Sequence, residues 1–246
     1  MSNRNVAENL NADQLSSLLS LRAQVYSIIR HLFLFEPSRE YLQNILQHKV
    51  LKVISEAYPE EHLRTSSLNF LNAVKELLEE GDERLIDTWA EYTRLFIGPA
   101  PPIASPYESI QRPVEKGRGY KGEAWLDVRE WLLEDGLILE DHSVLEDHAG
   151  IEFEYMMLTT IKANSLLQQG MIDDSLKVLA RQKKFLEEHI TKWVPKLCSE
   201  IEAHSKSYFY RSLAKFTTDF LKEDLDLLNE LLSSFVKSVE TEDSNM

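Results

Sequence analysis

Glu91-Tyr-Thr-Arg-Leu-Phe-Ile-Gly-Pro99 runs straight into Ala100-Pro-Pro-Ile-Ala-Ser-Pro-Tyr-Glu-Ser109, and the change of character at Gly98 decides how the chain is read. Before it, Leu85, Trp89, Tyr92 and Phe96 are spaced four, three and four apart, which places them on one stripe of a helix. After it, Pro99, Pro101, Pro102 and Pro106 remove amide donors and push the residues before them toward extended geometry. The helix therefore ends with large side chains beside a stiff loop that cannot be helical, the arrangement from which a binding cleft is built. Trp89 and Leu95 read as core. Tyr92 and Phe96, nearest the loop, read as the cleft wall, with Gly98 and Pro99 shaping the loop. Glu108 and Ser109 either cap a following turn or offer polar groups to a bound peptide.

Helical periodicity continues outward on both sides. Asp13 to Phe35 carries Leu15, Leu18, Leu19, Tyr26, Ile29 and Phe33 and stops before Pro37; Tyr41 to Tyr58 gives two short helices. Thr65 to Glu80 is another helix, with Gly81 as its stop and Asp82 as the N-cap of the next. Residues 98–122 hold four of the eight glycines and five of the eight prolines, which marks them as a hinge loop. Trp125, Val128, Trp131 and Leu132 then form a short helix ending at Gly136. Ser143-Val-Leu-Glu146 has the form of a capping box at the head of a long helix that runs through Ile151, Tyr155 and Leu158 toward Gly170. The rest is helical, with a restart or kink at Pro195, a long last helix from Leu213 to Phe235 and a frayed tail at 240–246. With no run of alternating strands and no internal repeat, the expectation is an all-α, single-domain globular bundle of about nine or ten helices over residues 1–246.

Composition narrows the partners. Lys plus Arg number 27 and Asp plus Glu 41, a formal charge of −14, which repels phosphate backbones and anionic membrane surfaces. Nucleic acid is thereby disfavoured and a cationic peptide fits better, although acidity alone also keeps a chain soluble. The single cysteine, Cys198, allows neither an intramolecular disulfide nor a C-x-x-C metal knuckle. The first ten residues lack the apolar core of a secretory signal, and no apolar run approaches the roughly 18 residues of a membrane span. A cytoplasmic protein with no integral membrane segment is expected.

Catalytic and cofactor patterns do not hold up. Gly117-Arg-Gly119-Tyr-Lys-Gly122 has the letters of a dinucleotide fingerprint but follows proline and charged residues rather than a buried strand. The residues three before each of the seven histidines are aliphatic or proline, so no Glu-x-x-His di-iron pair exists. His148 and Glu152, four apart, suit one metal on a helical face with Asp147 or His142 nearby, yet such a pair is more often a surface hydrogen bond. Cys198 has no adjacent base and no nucleophile elbow occurs. No enzyme and no cofactor are indicated. Asp147-His148 reads in two ways: Asp147 caps the helix beside a neutral, partly buried His148, or the pair binds a ligand. Glu140, Asp141 and Glu146 would make that corner strongly negative and attractive to arginines.

These residues resemble the TorD/DmsD family of cytoplasmic redox-enzyme maturation chaperones, with the NarJ-like proteins in the wider group. The resemblance rests on Tyr92-Thr-Arg-Leu-Phe-Ile-Gly-Pro99 with Ser105-Pro-Tyr-Glu-Ser109, and on Glu146-Asp147-His148. Phe185-x-x-x-His189-x-x-x-Trp193 and Tyr208 to Ala214 extend it, while Leu145 stands where members often have proline. The resemblance implies an all-helical chaperone that binds the N-terminal twin-arginine leader of a molybdenum-cofactor oxidoreductase, its apo catalytic subunit, until the cofactor is inserted. Glu146 and Asp147 would contact the leader arginines and His148 would orient Asp147 or the peptide. Tyr92, Phe96, Pro106 and Tyr107 would give apolar contact, with Gly98, Pro99, Ser105, Glu108 and Ser109 completing the peptide site. Alternatives are a NarJ-like assembly factor for a non-exported reductase subunit and, from another class, a metal- or nucleotide-dependent helical enzyme. A homodimer formed by helix exchange through the hinge is also left open.

Overall fold

A computed structural model describes residues 11–58, 60–99, 101–112, 120–140 and 143–243, with side chains as far as residue 234. The Gly117–Gly119 part of the glycine loop, Asp141, His142 and the end of the polar tail lie outside the described residues. The described residues contain helices and no strand. They form α1 (Ala12–Leu34), α2 (Arg39–His48), α3 (Val50–Ala57), α4 (Glu61–Glu79), α5 (Asp82–Tyr92), the single turn α6 (Glu108–Gln111), α7 (Glu123–Glu134), α8 (Ala149–Gln168), α9 (Ile172–Phe185), α10 (Thr191–His204) and α11 (Tyr208–Asp243). Wide turns at Thr93–Ile97 and Leu186–Ile190 extend α5 and join α9 to α10. With α9 and α10 taken as one rod and α6 set aside, nine rods remain among the described residues, within the expected count.

Local chemistry sets most boundaries. Asn11 caps α1 by accepting from the Gln14 amide while the Gln14 side chain accepts from the Asn11 amide, a reciprocal box that satisfies two orphan donors. Ser38 caps α2. The cap of α5 is Gly81, at φ +89°, rather than Asp82, which becomes the first helical residue. Pro195 sits inside α10 and does not restart it, because the preceding wide turn already runs into α10 with helical dihedrals.

The core runs from Leu15 on α1 to Leu231 on α11. Full burial of each of its large side chains, Phe33, Phe70, Phe153, Phe216 and Trp193 among them, contributes about 1.5–3 kcal/mol. At its centre the buried Arg22 of α1 grips Asp224 of α11, with Nη2 to Oδ2 at 2.8 Å, while Nη1 donates to Gln182 of α9 at 3.0 Å. Tyr26 donates to the same carboxylate at 2.6 Å. Helix α8 packs along α1, and Gly150 makes the approach possible: a Cβ there would lie 2.3 Å from Cγ of Leu34. Among the described residues no helix is long and apolar enough to cross a membrane.

Candidate functional site

The proline segment folds back on the helix it leaves. The Gly98 amide donates to the Thr93 carbonyl at 2.6 Å, closing the wide turn, and the Ala104 amide donates to the Leu95 carbonyl at 2.9 Å. Gly98 has φ +66°, and a Cβ there would meet Pro102 Cα at 3.1 Å, so glycine is required on both counts. The chain then runs through buried Ser105 and Pro106 to Tyr107, which pairs with His148 as an isolated antiparallel bridge. The Ala149 amide donates to the Pro106 carbonyl at 2.8 Å, and the Glu108 amide to the Asp147 carbonyl at 2.9 Å. The two motifs singled out in the sequence are thus joined backbone to backbone.

This pairing determines how α8 starts. Residues 147 and 148 stay outside the helix to meet the loop, so the box expected at Ser143–Glu146 does not open it. His148 is the cap, its Nδ1 accepting from the Gly150 amide at 3.0 Å. Acceptance at Nδ1 leaves the ring proton on Nε2 of a neutral imidazole, and burial pushes the His148 pKa down to about 3. Tyr107 meets this ring edge to face at 5.0 Å. Asp147 caps nothing in α8; its Oδ2 accepts from the Ser109 amide at 2.9 Å, at the start of α6. Burial raises its pKa against the lowering effect of that hydrogen bond.

Behind the bridge lies a polar junction that unites five elements. Glu108 of α6 is fully buried; its Oε1 accepts from Arg112 at 2.6 Å and its Oε2 lies 2.9 Å from Nδ1 of His189. The Phe185 ring stacks on His189 at 4.8 Å. The Nε2 of His189 is 3.5 Å from Asp127 of α7. Glu152 of α8, also fully buried, accepts from Trp193 Nε1 at 3.1 Å. Burial, followed by the nearby Glu108, raises the Glu152 pKa well above the ordinary carboxylate range. The nearby Asp147 adds to the same upward shift of Glu152.

Several expectations change in place or character. Tyr92 and Phe96 do not line an open cleft: both are buried, packed edge to face at 5.0 Å, with Phe96 against Phe33 and Tyr210 and the Tyr92 hydroxyl donating to the Phe33 carbonyl. Trp89, expected in the core, is partly exposed and donates to the Pro37 carbonyl at 2.8 Å. Leu95 is buried as expected. The loop is not wholly non-helical, since Glu108 and Ser109 begin the turn of α6. The acidic corner is largely internal: Asp147 and Glu108 are enclosed, and Glu146 is tied to Trp125 Nε1 at 2.5 Å. Glu140 is exposed. Among the described residues no group of three or more metal-type side chains is arranged to hold an ion. Cys198 is buried and its thiol is pushed up to about 12 by that burial.

Sequence reasoning gave no site role to His189 and Trp193, and weighed Glu152 only as a partner of His148. The available signal was the spacing of four between Phe185, His189 and Trp193, which aligns them along one helical face.

Fold and junction together define an all-helical protein whose polar groups are gathered where a proline loop crosses a helix start. The family model described as nitrate reductase delta subunit matches residues 60–199, more than half of the chain and the whole of this junction. The chain belongs to that family, the NarJ/TorD group that its motifs resemble. It is also similar to the chaperone protein TorD of Vibrio cholerae serotype O1, at 24% identity over 219 residues, covering 89% of this chain and 96% of that relative.

Proposed function

We propose that the protein is a cytoplasmic maturation chaperone, without catalytic turnover, for a redox enzyme. In this reading it binds the N-terminal twin-arginine leader of a molybdenum-cofactor oxidoreductase and holds it until cofactor insertion and folding are complete. The observation that carries the reading is the likeness to a chaperone along nearly the full length of both chains. The geometry supports it through the union of the proline loop with Asp147-His148, a joint of two backbone hydrogen bonds that a competing extended peptide can replace.

Roles follow from placement. Ile97, Pro99 and Ile103 are exposed and Tyr107 half-buried, so they receive the apolar part of a leader without rearrangement, while Tyr92 and Phe96 support that wall from behind. Glu146 is reachable at the surface. Asp147 and Glu108 become available to leader arginines once Pro106–Ser109 lifts from α8. His148 orients Asp147 by fixing the start of that helix, and Ser105 and Ser109 line the same segment.

The test is calorimetric titration with a panel of twin-arginine leaders from molybdoenzymes, each paired with a version carrying glutamine in place of both arginines. Tight binding to one leader that weakens on replacement is expected; no binding to any leader refutes the reading. The family description, nitrate reductase delta subunit, favours a second reading, an assembly factor for a reductase subunit whose N-terminus lacks the arginine pair. Tight binding indifferent to the arginines selects that one.

A further inference from the structure

A separate cleft of about 390 Å³ lies between α4, α5 and the turn that enters α11, and none of its lining residues belongs to the seam between the proline loop and α8. Ala73 and Leu77 of α4 and Phe209 of α11 give it an apolar floor, to which Tyr208, 40% exposed, adds a ring.

Charge on its walls is unevenly matched. Arg84 is held by Glu80 at 3.1 Å and by Asp87 at 3.7 Å. Glu91 is saturated: it accepts from Arg94 Nε and Nη2, each at 2.7 Å, from the Ser205 hydroxyl at 2.9 Å and from the Lys206 amide at 2.7 Å. The Lys206 ammonium, by contrast, is exposed and has no ion pair or hydrogen bond among the described residues. Arg211 donates from Nη1 to the Ser205 carbonyl at 2.8 Å and makes no ion pair among the described residues. Glu76 is the lining acid that is likewise left without an ion pair among them.

A chain with 41 acidic and 27 basic residues has carboxylates to spare, yet the fold leaves two cations open on one wall of a hollow. Such a wall attracts a carboxylate through charge-assisted hydrogen bonds, Arg211 with a planar fork and Lys206 as a point charge. The wall is also fixed in advance. Glu91 holds the Lys206 backbone and, through Arg94, the wide turn at Thr93–Ile97, so little ordering is left for a ligand to impose.

We infer that this cleft is a docking site for an acidic peptide segment of a protein partner. A carboxylate of the segment meets Lys206 and Arg211, and an adjacent apolar side chain lies over Ala73, Leu77 and the Tyr208 ring. The volume is within the roughly 300–1,000 Å³ of ordinary ligand pockets and holds a short segment rather than a folded domain. A cationic leader has the wrong sign for these two free cations, so the site is distinct from the contact proposed for the leader and does not depend on that reading.

The experiment follows the amide resonances of the ¹⁵N-labelled full chain during titration with a capped hexapeptide of alternating aspartate and leucine. Control peptides carry asparagine or lysine in place of aspartate. Shifts gathered at Leu77, Lys206, Ser207 and Arg211 are expected, with affinity at least about tenfold lower for the asparagine peptide, the value of one charge-assisted hydrogen bond. Lys206→Gln removes a side chain that makes no bond within the described fold and should weaken binding by about three- to tenfold with an unchanged thermal midpoint. Glu76→Gln removes the unmatched acid and should strengthen binding by about two- to threefold, a gain that a damaged fold does not produce. Absence of shifts at these amides overturns the inference, as does equal affinity for the aspartate and asparagine peptides or tighter binding of the lysine peptide. Undiminished affinity in a folded Lys206→Gln, or no gain in Glu76→Gln, overturns it as well.

Discussion

Replacing His148 with asparagine separates its capping role from its titration. Asparagine is among the best N-cap residues, and its Oδ1 accepts from the Gly150 amide as Nδ1 of His148 does. The variant loses ring volume against Tyr107, which costs about 1–2 kcal/mol at neutral pH. It also loses a group held neutral in the folded state with a pKa of about 3, against about 6.5 in an unfolded chain. A depressed folded pKa gives stability that is present above pH 6.5 and lost as pH falls toward 3, because acid then protonates only the unfolded form. At pH 4.5 the unfolded histidine is two units below its pKa, so the wild type forfeits about 2.5 kcal/mol relative to pH 7 that the asparagine variant keeps. His31, lowered to about 4 by burial, titrates in the same window but is common to both proteins and cancels in the difference. Urea unfolding followed by circular dichroism at pH 7.0 and pH 4.5 should show the variant weaker at neutral pH and equal or stronger in acid. A stability gap that is the same at both pH values refutes a neutral, buried His148.

Three further outcomes follow from other parts of the molecule. Gly150→Ala should lower stability by about 1–3 kcal/mol in chemical denaturation, since the added methyl meets Leu34 and α1 and α8 must move apart. Asp224→Asn leaves the enclosed Arg22 without its counter-charge and should cost about 3–5 kcal/mol, read as a lower urea midpoint. For Glu152→Gln the sign is opposite to that of His148: a raised folded pKa gives stability present below the unfolded value and lost as pH rises. Relative to wild type, the glutamine variant should therefore gain ground from pH 4 to pH 8 in the same unfolding assay.

Helices were legible because their signals are local. The stripe Leu85, Trp89, Tyr92, Phe96 identified a helix and Gly98 its end, and the loop glycine proved to be required by both its φ and the closeness of Pro102. What spacing could not show is which neighbour covers that stripe. Tyr92 and Phe96 are buried by Phe33 and by Tyr210, which arrives from α11 far along the chain, whereas Trp89 points past α5 toward Pro37. Ser143–Glu146 is a sound capping pattern that loses to a tertiary contact: backbone pairing of Tyr107 with His148 holds the chain extended until Ala149. The meeting of Glu108 with His189 joins residues 81 positions apart, and the wide turn before α10 that sets the histidine has no marker in the sequence. Asp147 and His148, singled out in the sequence as a possible binding pair, lie at the seam where a proline loop and a helix start are bonded, a contact between distant segments that spacing does not show.

The most direct test of the account is the affinity of Asp147→Asn for the leader that binds the wild type, measured by calorimetry alongside the unfolding midpoint of each protein. Asparagine retains an acceptor for the Ser109 amide while removing the charge offered to a leader arginine. The account predicts binding at least about tenfold weaker, the value of one charge-assisted hydrogen bond, with the fold preserved. Unchanged affinity in a folded variant, or loss of the fold with no selective loss of binding, would contradict it.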